Sequence, residues 1–120
     1  MTTGLTWGWA VLLVAVGGAL GAVARHVLSQ PPLGAARGVL VANVVGCAGL
    51  GALVAVADRL PPSLVLLLGT GISAALTTWS TLAVLTWQLG RRDLPRAAAY
   101  LGLTLALGLS TASLAWWALS

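Results

Sequence analysis

Apolar residues dominate this chain so heavily that the informative pattern is where the charges fall. They separate four long apolar runs: Leu5–Ala24, Gly38–Ala57, Leu64–Gly90 and Ala97–Ser120. Each reaches the ~20 residues that an α-helix needs to cross about 30 Å of hydrocarbon. Arg25 and His26 close the first run, Asp58 and Arg59 the second, and Arg91, Arg92 and Asp93 the third. The connections are short and carry Pro31, Pro32, Pro61, Pro62 and Pro95, which suit helix ends and first turns. Trp7, Trp9, Trp87, Trp116 and Trp117 fall near the run ends, as an interfacial aromatic belt requires. The pattern predicts an all-α membrane protein, one domain over 1–120, with four transmembrane helices near 5–28, 38–57, 64–90 and 97–119.

Composition agrees. Hydrophobic residues make up 59% of the chain and charged residues only 7%, against about 25% charged in soluble domains, and the mean hydropathy is +1.01. Eight charges cannot cover a soluble protein. The net charge of +4 comes from six arginines and two aspartates, placed at run ends beside anionic headgroups, so membrane lipid and not nucleic acid is the expected partner. Arg25, Arg37, Arg91, Arg92 and Arg96 flank the first and third connections, whereas the second holds only Arg59. Positive-inside logic then puts those two connections in the cytoplasm and both termini outside, in one fixed orientation. The N-terminus lacks the basic region of a signal peptide and is expected to be a retained span of a multi-pass cell-membrane protein. Cys47, the only cysteine, excludes an intrachain disulfide and is expected to be a small packing residue.

Glycines crowd the first two runs at 17, 18, 21, 38, 46, 49 and 51. Small residues let helix backbones approach closely, so these spans are expected to pack tightly on others. Four short spans enclose little space, and a conduit implies oligomerisation.

The polar residues within the runs carry the chemistry. Asn43 lies near the centre of the second run, where its amide needs hydrogen-bond partners. Either a helix-packing bond or a water-filled path supplies them. The third run is the longest and holds Ser73, Thr77, Thr78, Ser80 and Thr81 at its middle. One or two hydroxyls would bond back to the i−4 carbonyl; this density predicts a third helix broken mid-membrane, tolerated where the freed backbone is buried or lines a cavity. Freed carbonyls suit cations, and freed N–H groups and hydroxyls suit anions. Trp79 adds a positive ring edge and an indole N–H. Of the hydroxyls in the last run, Thr104, Ser110, Thr111 and Ser113, Ser110 is singled out by its depth. No Asp, Glu or Lys lies inside any run, which disfavours a proton-coupled four-helix multidrug exporter and a cation pore. The pattern suits a pathway for a small anion. No nucleophile–base pair or phosphate loop supports an enzyme, and His26 is expected to be interfacial.

Three blocks in order, "GGALGAVARH" (Gly17 to His26), "GVLVANVVG" (Gly38 to Gly46) and "GISAALTTWST" (Gly71 to Thr81), resemble the CrcB/Fluc fluoride channel family over essentially the whole chain. The resemblance implies an antiparallel dual-topology dimer with two fluoride pores, a structural sodium ion at its centre, and passive export of cytoplasmic fluoride. It implies Asn43 as the pore asparagine and a break around Leu76–Thr78. The sodium ligands would be the backbone carbonyls of Ala74 and Thr77. The aromatic pore positions would be 79 and 82, with hydroxyls from Ser80 and Thr81 and with Arg25 near a vestibule.

The chain departs from that pattern at several points. Ala74-Ala75 stands where the family usually has Gly-Gly or Gly-Ala. Trp79 and Leu82 replace its two phenylalanines, Val39 replaces a threonine, and Leu85 replaces a frequent glutamate. A single orientation and a thinned pore set point to one half of a heterodimer, paired with an oppositely oriented paralogue. The alternative is a non-conducting subunit that only completes its partner's dimer.

Overall fold

The computed structural model describes residues 6–120; Leu5, which opens the first expected span, lies outside the described residues. Every regular element among them is helical. Helix α1 covers Trp7–Leu28 and α2 covers Gly34–Val56, followed by a 3₁₀ turn at Ala57–Arg59. Helix α3 takes residues 62–76, winding as a π-helix over Leu66–Ser73 between two α-helical ends. Helix α4 covers Trp79–Gly90 and α5 covers Leu94–Leu119. Four segments are long and apolar enough to cross a membrane: Trp7–Leu28, Gly34–Arg59, Pro62–Gly90 and Leu94–Leu119. The long dimension of 54 Å exceeds the about 40–45 Å of a bilayer with its headgroups.

Local chemistry sets the helix ends. Thr6 caps α1 by accepting the Trp9 N–H, Pro62 opens α3, and Asp93 caps α5 by accepting the Arg96 N–H at 3.0 Å. Each is the side chain or ring that an orphaned helix start accepts. The spans run further than their apolar stretches: α5, capped by Asp93, starts at Leu94 rather than Ala97, and α2 starts at Gly34 rather than Gly38. Gly34 sits at φ +78°, a left-handed conformation open to glycine without strain, and so turns the first connection into α2.

Helices α1 and α3 pack together, as do α2 and α5, and α4 leans on α5. Glycine makes the first contact possible: a Cβ on Gly17 would fall on the Leu67 carbonyl, and one on Gly21 on the Ile72 carbonyl. Gly51 likewise admits the backbone at Ala112 of α5. The Tyr100 hydroxyl donates to the Ala36 carbonyl at 2.8 Å, tying α5 to α2, while the Thr111 hydroxyl donates within α5 to the Leu107 carbonyl at 2.8 Å. The interior is thin, with Val39, Ala42, Leu53, Leu76, Leu82 and Ala97 buried. Large apolar residues such as Val11, Leu20, Val54, Leu103 and Leu114 face outward along the helices, which suits a surface solvated by lipid. The chain is a multi-pass membrane protein.

Candidate functional site: an asparagine clamp between two half-helices

Between α3 and α4 the backbone leaves the helical region for two residues. Thr77 has φ −77°, ψ 149°, and Thr78 has φ −150°, ψ 124°. Such residues strip helix ends of their partners, and in hydrocarbon every orphaned N–H or C=O must be satisfied inside the protein. Asn43, 35 residues away on α2, does this for Thr78. Its Oδ1 accepts the Thr78 N–H at 2.6 Å and its Nδ2 donates to the Thr78 carbonyl at 3.2 Å. A primary amide carries the same donor and acceptor as a peptide group, so the side chain pairs with Thr78 as a neighbouring strand would. Asn43 is only 7% exposed, and its second Nδ2 hydrogen is not used by this pair.

The hydroxyls complete the junction. Thr78 Oγ1 accepts the Thr81 N–H at 3.3 Å, making Thr78 the N-cap of α4. The same hydroxyl lies 3.2 Å from Thr81 Oγ1 and 3.4 Å from Ser80 Oγ. The first turn of α4 thus gathers three hydroxyls around N–H groups carrying the positive end of a helix dipole. The other half-helix end has the opposite character. The Thr78 N–H that would have served the Ala74 carbonyl goes to Asn43, leaving that carbonyl 3.3 Å from the Thr77 hydroxyl, which lies closer, at 3.1 Å, to the Ser73 carbonyl. Arg25 Nη1 stands 3.5 Å from the Thr77 carbonyl, at the outer limit of a hydrogen bond. Ala74 is exposed and Thr77 half-buried, and their carbonyls are neutral oxygens beside the negative end of the α3 dipole. That is a donor set suited to a hard monovalent cation. Two carbonyls do not enclose one, and further ligands would come from elsewhere.

A cavity of about 270 Å³ opens beside the clamp, walled by Asn43 and Cys47 from α2, Thr77 and Thr78, Trp79 and Leu82 from α4, and Thr104 and Gly108 from α5. The expected pore residues separate on this surface. Asn43, Trp79 and Leu82 line it, although Trp79 is 65% exposed and Leu82 only 2%. Ser80 and Thr81 join through the hydroxyl cluster, and Arg25 sits at the Thr77 carbonyl. Ser110 is exposed and outside the cavity wall; it stands two residues past Gly108, about 200° around the helix. Thr104, one turn before Gly108, is the buried hydroxyl on the cavity side, its proton given to the Tyr100 carbonyl at 2.8 Å. Cys47, expected as a packing residue, also lines the cavity, with Sγ 3.3 Å from where a Gly108 Cβ would stand. Its place one turn after Asn43 was the available signal.

Comparison with known proteins places these features in a lineage. The profile of the family described as CrcB-like protein, Camphor Resistance (CrcB), matches residues 12–116. A protein of Halobacterium salinarum named fluoride-specific ion channel FluC 1 is 46% identical over 110 residues, covering 88% of this chain and 89% of its own length. A second protein of that organism, fluoride-specific ion channel FluC 2, is 45% identical over 100 residues, or 80% and 75% of the two chains. The fluoride-specific ion channel FluC of Gloeobacter violaceus is 43% identical over 101 residues, covering 75% of this chain and 79% of its own. These relatives are channels and not enzymes.

Proposed function

This chain belongs to the CrcB-like family, and from that premise we propose that it is a subunit of a fluoride-specific channel that lets cytoplasmic fluoride leave passively. The observation that carries this reading is the Asn43–Thr78 clamp, which holds a half-helix N-terminus and its hydroxyls beside a cavity without carboxylates. Fluoride is small and strongly hydrated, so a path must replace its water with close donors. The unused Nδ2 hydrogen of Asn43, the hydroxyls of Ser80 and Thr81, and the first N–H groups of α4 are such donors, and Trp79 offers a positive ring edge. In this reading the two half-helix ends that meet at Thr77 and Thr78 would be the mid-membrane break of the third span. A structural sodium would be held by the carbonyls of Ala74 and Thr77 together with oxygens of a second subunit. It would supply fixed positive charge at the negative helix end and cross-link the dimer.

The dimer is antiparallel in this reading. Each subunit keeps its termini outside and its first and third connections in the cytoplasm or does the reverse. This chain's arginines commit it to the first arrangement, which favours a heterodimer with an oppositely oriented paralogue. Two observations support that version: Leu82 is buried where the family pattern has an aromatic, and one organism carries two related channels among the relatives. The decisive experiment is fluoride efflux from loaded proteoliposomes, with the chain alone and with a co-expressed paralogue. The expected result is selective, uncoupled fluoride efflux from the pair and little from the chain alone. Full efflux from the chain alone sinks the heterodimer; none in either case sinks the channel. Retained efflux from the pair when Asn43 of this chain is replaced would instead mark it as scaffolding.

Cys47 offers an internal probe of the route. A small methanethiosulfonate reagent that reaches Cys47 is expected to block most of the flux, and Cys47→Ser to make the channel insensitive. Modification of Cys47, shown by mass spectrometry, without loss of flux would place the ion's path elsewhere.

A further inference from the structure

A second cavity, larger than the one beside the clamp, lies elsewhere on the same helices. A space of about 690 Å³ lies at the far end of α4, walled by Ala36, Leu85, Gln88, Arg91, Arg92 and Tyr100 among others. The same three helices wall both cavities, and with the same faces. Ala36 stands two turns before Asn43 on α2, Leu85 one turn after Leu82 on α4, and Tyr100 one turn before Thr104 on α5; spacings of three, four and seven share a helix face. The two cavities therefore lie in line along the groove-side faces of α2, α4 and α5, one at Arg91 and Arg92 and the other at the Asn43–Thr78 clamp.

The outer widening is strongly one-signed. Its lining contains two guanidinium groups and no carboxylate. Asp93, the nearest acid in sequence, is turned to the Arg96 N–H as the cap of α5. The Arg91 guanidinium carbon stands 5.1 Å from the centroid of the Trp87 ring, which holds its charge at this end of α4. A cleft of one sign between low-dielectric walls raises the local concentration and arrival rate of the opposite ion.

We infer that the Arg91–Arg92 cavity is an anion-collecting antechamber that sets how fast fluoride enters the groove. This rests on the channel reading above and adds the residues that control its entry step. Because guanidinium groups at an interface also attract lipid phosphate, the test must separate the two anions.

The test measures initial fluoride efflux at limiting fluoride from the assembled channel, including a partner subunit where one is required. Wild type is compared with R91Q/R92Q, R91K/R92K and R59Q, in neutral phosphatidylcholine vesicles and in vesicles containing phosphatidylglycerol. At ~10 mM ionic strength R91Q/R92Q should lose about tenfold, the low end of electrostatic steering. At ~1 M, where the screening length is ~3 Å, the loss should shrink below about twofold. R91K/R92K should keep most of the flux in both lipids, and R59Q, which removes one positive charge at the second connection, should match wild type. An equal loss at both ionic strengths, a loss seen only with phosphatidylglycerol, an equal loss in R59Q, or no loss would each overturn the inference while leaving the channel standing. Absence of wild-type efflux would remove the channel reading and this inference with it.

Discussion

Asn43→Ala is expected to abolish fluoride flux while leaving the four helices assembled. The substitution removes the acceptor of the Thr78 N–H and the donor to the Thr78 carbonyl in one step. Thr78 is half-buried between helix ends, and the Ala74 carbonyl, which a continuous helix would offer its N–H, cannot take over while Thr77 and Thr78 stay extended. Each unpaired backbone group costs about 1–3 kcal/mol. Together they disfavour the extended pair of residues by several kcal/mol, and each 1.4 kcal/mol is a factor of ten in a conformational population. Flux should fall about a hundredfold or more, whereas the α1–α3 contact and the remainder of the α2–α5 contact should hold the fold. Asn43→Asp sharpens the prediction. It keeps an acceptor for the Thr78 N–H but sets a carboxylate against the Thr78 carbonyl and puts negative charge on an anion's route, so flux should be as low as in the alanine variant. Proteoliposome efflux gives the rate, and size-exclusion profile and thermal melting in detergent report the fold. An alanine variant conducting within about threefold of wild type would show that the clamp is not needed for conduction.

The outline of the molecule was legible in the sequence because a bilayer permits few alternatives. A charge-free run of sufficient length has to be helical, so the four spans follow from where the arginines and aspartates stand. Their ends followed less well, since capping and not hydropathy sets them: the Asp93 carboxylate carries α5 outward past Arg96, and Gly34 starts α2 before the apolar stretch begins. The π-helical winding of Leu66–Ser73 had no signal beyond its two glycines. At the site, the sequence said only that the Asn43 amide needed partners, and hydrogen bonding to Thr78 across 35 residues is a property of packing. Ser110 was chosen by depth alone, but depth does not fix the face of a helix. Thr104 and Gly108 share the groove side, while Ser110 falls opposite. Even the departure at 82 reads differently once Leu82 is seen buried in the groove wall, where an aliphatic side chain packs well but offers an anion no positive edge.

Gly17→Ala and Gly21→Ala are expected to be the most damaging single-methyl additions in α1, and Gly18→Ala the most benign. Built onto Gly17, a Cβ falls on the Leu67 carbonyl, 2.8 Å from Gly71 Cα and 3.1 Å from the Ile72 nitrogen; on Gly21 it falls on the Ile72 carbonyl, 3.0 Å from Ala75 Cβ and 3.1 Å from the Leu76 nitrogen. Nearly all these neighbours are backbone atoms, so no rotamer change relieves the contact and α1 has to move off α3. Overpacking of this kind costs about 1–3 kcal/mol per site, and the double variant should unfold on purification. Gly18, adjacent to Gly17, meets nothing within 4 Å, and alanine there should gain about 0.5–1 kcal/mol from helix propensity. The consequence reaches the site because Arg25 is one turn beyond Gly21 on α1 and approaches the Thr77 carbonyl, while Ile72 and Leu76 lead into the same junction. A Gly21→Ala channel that survives reconstitution should therefore conduct poorly even after correction for the folded fraction, whereas Gly18→Ala should conduct as wild type. Equal melting temperatures for the three alanine variants would show that α1 and α3 do not meet through their glycines.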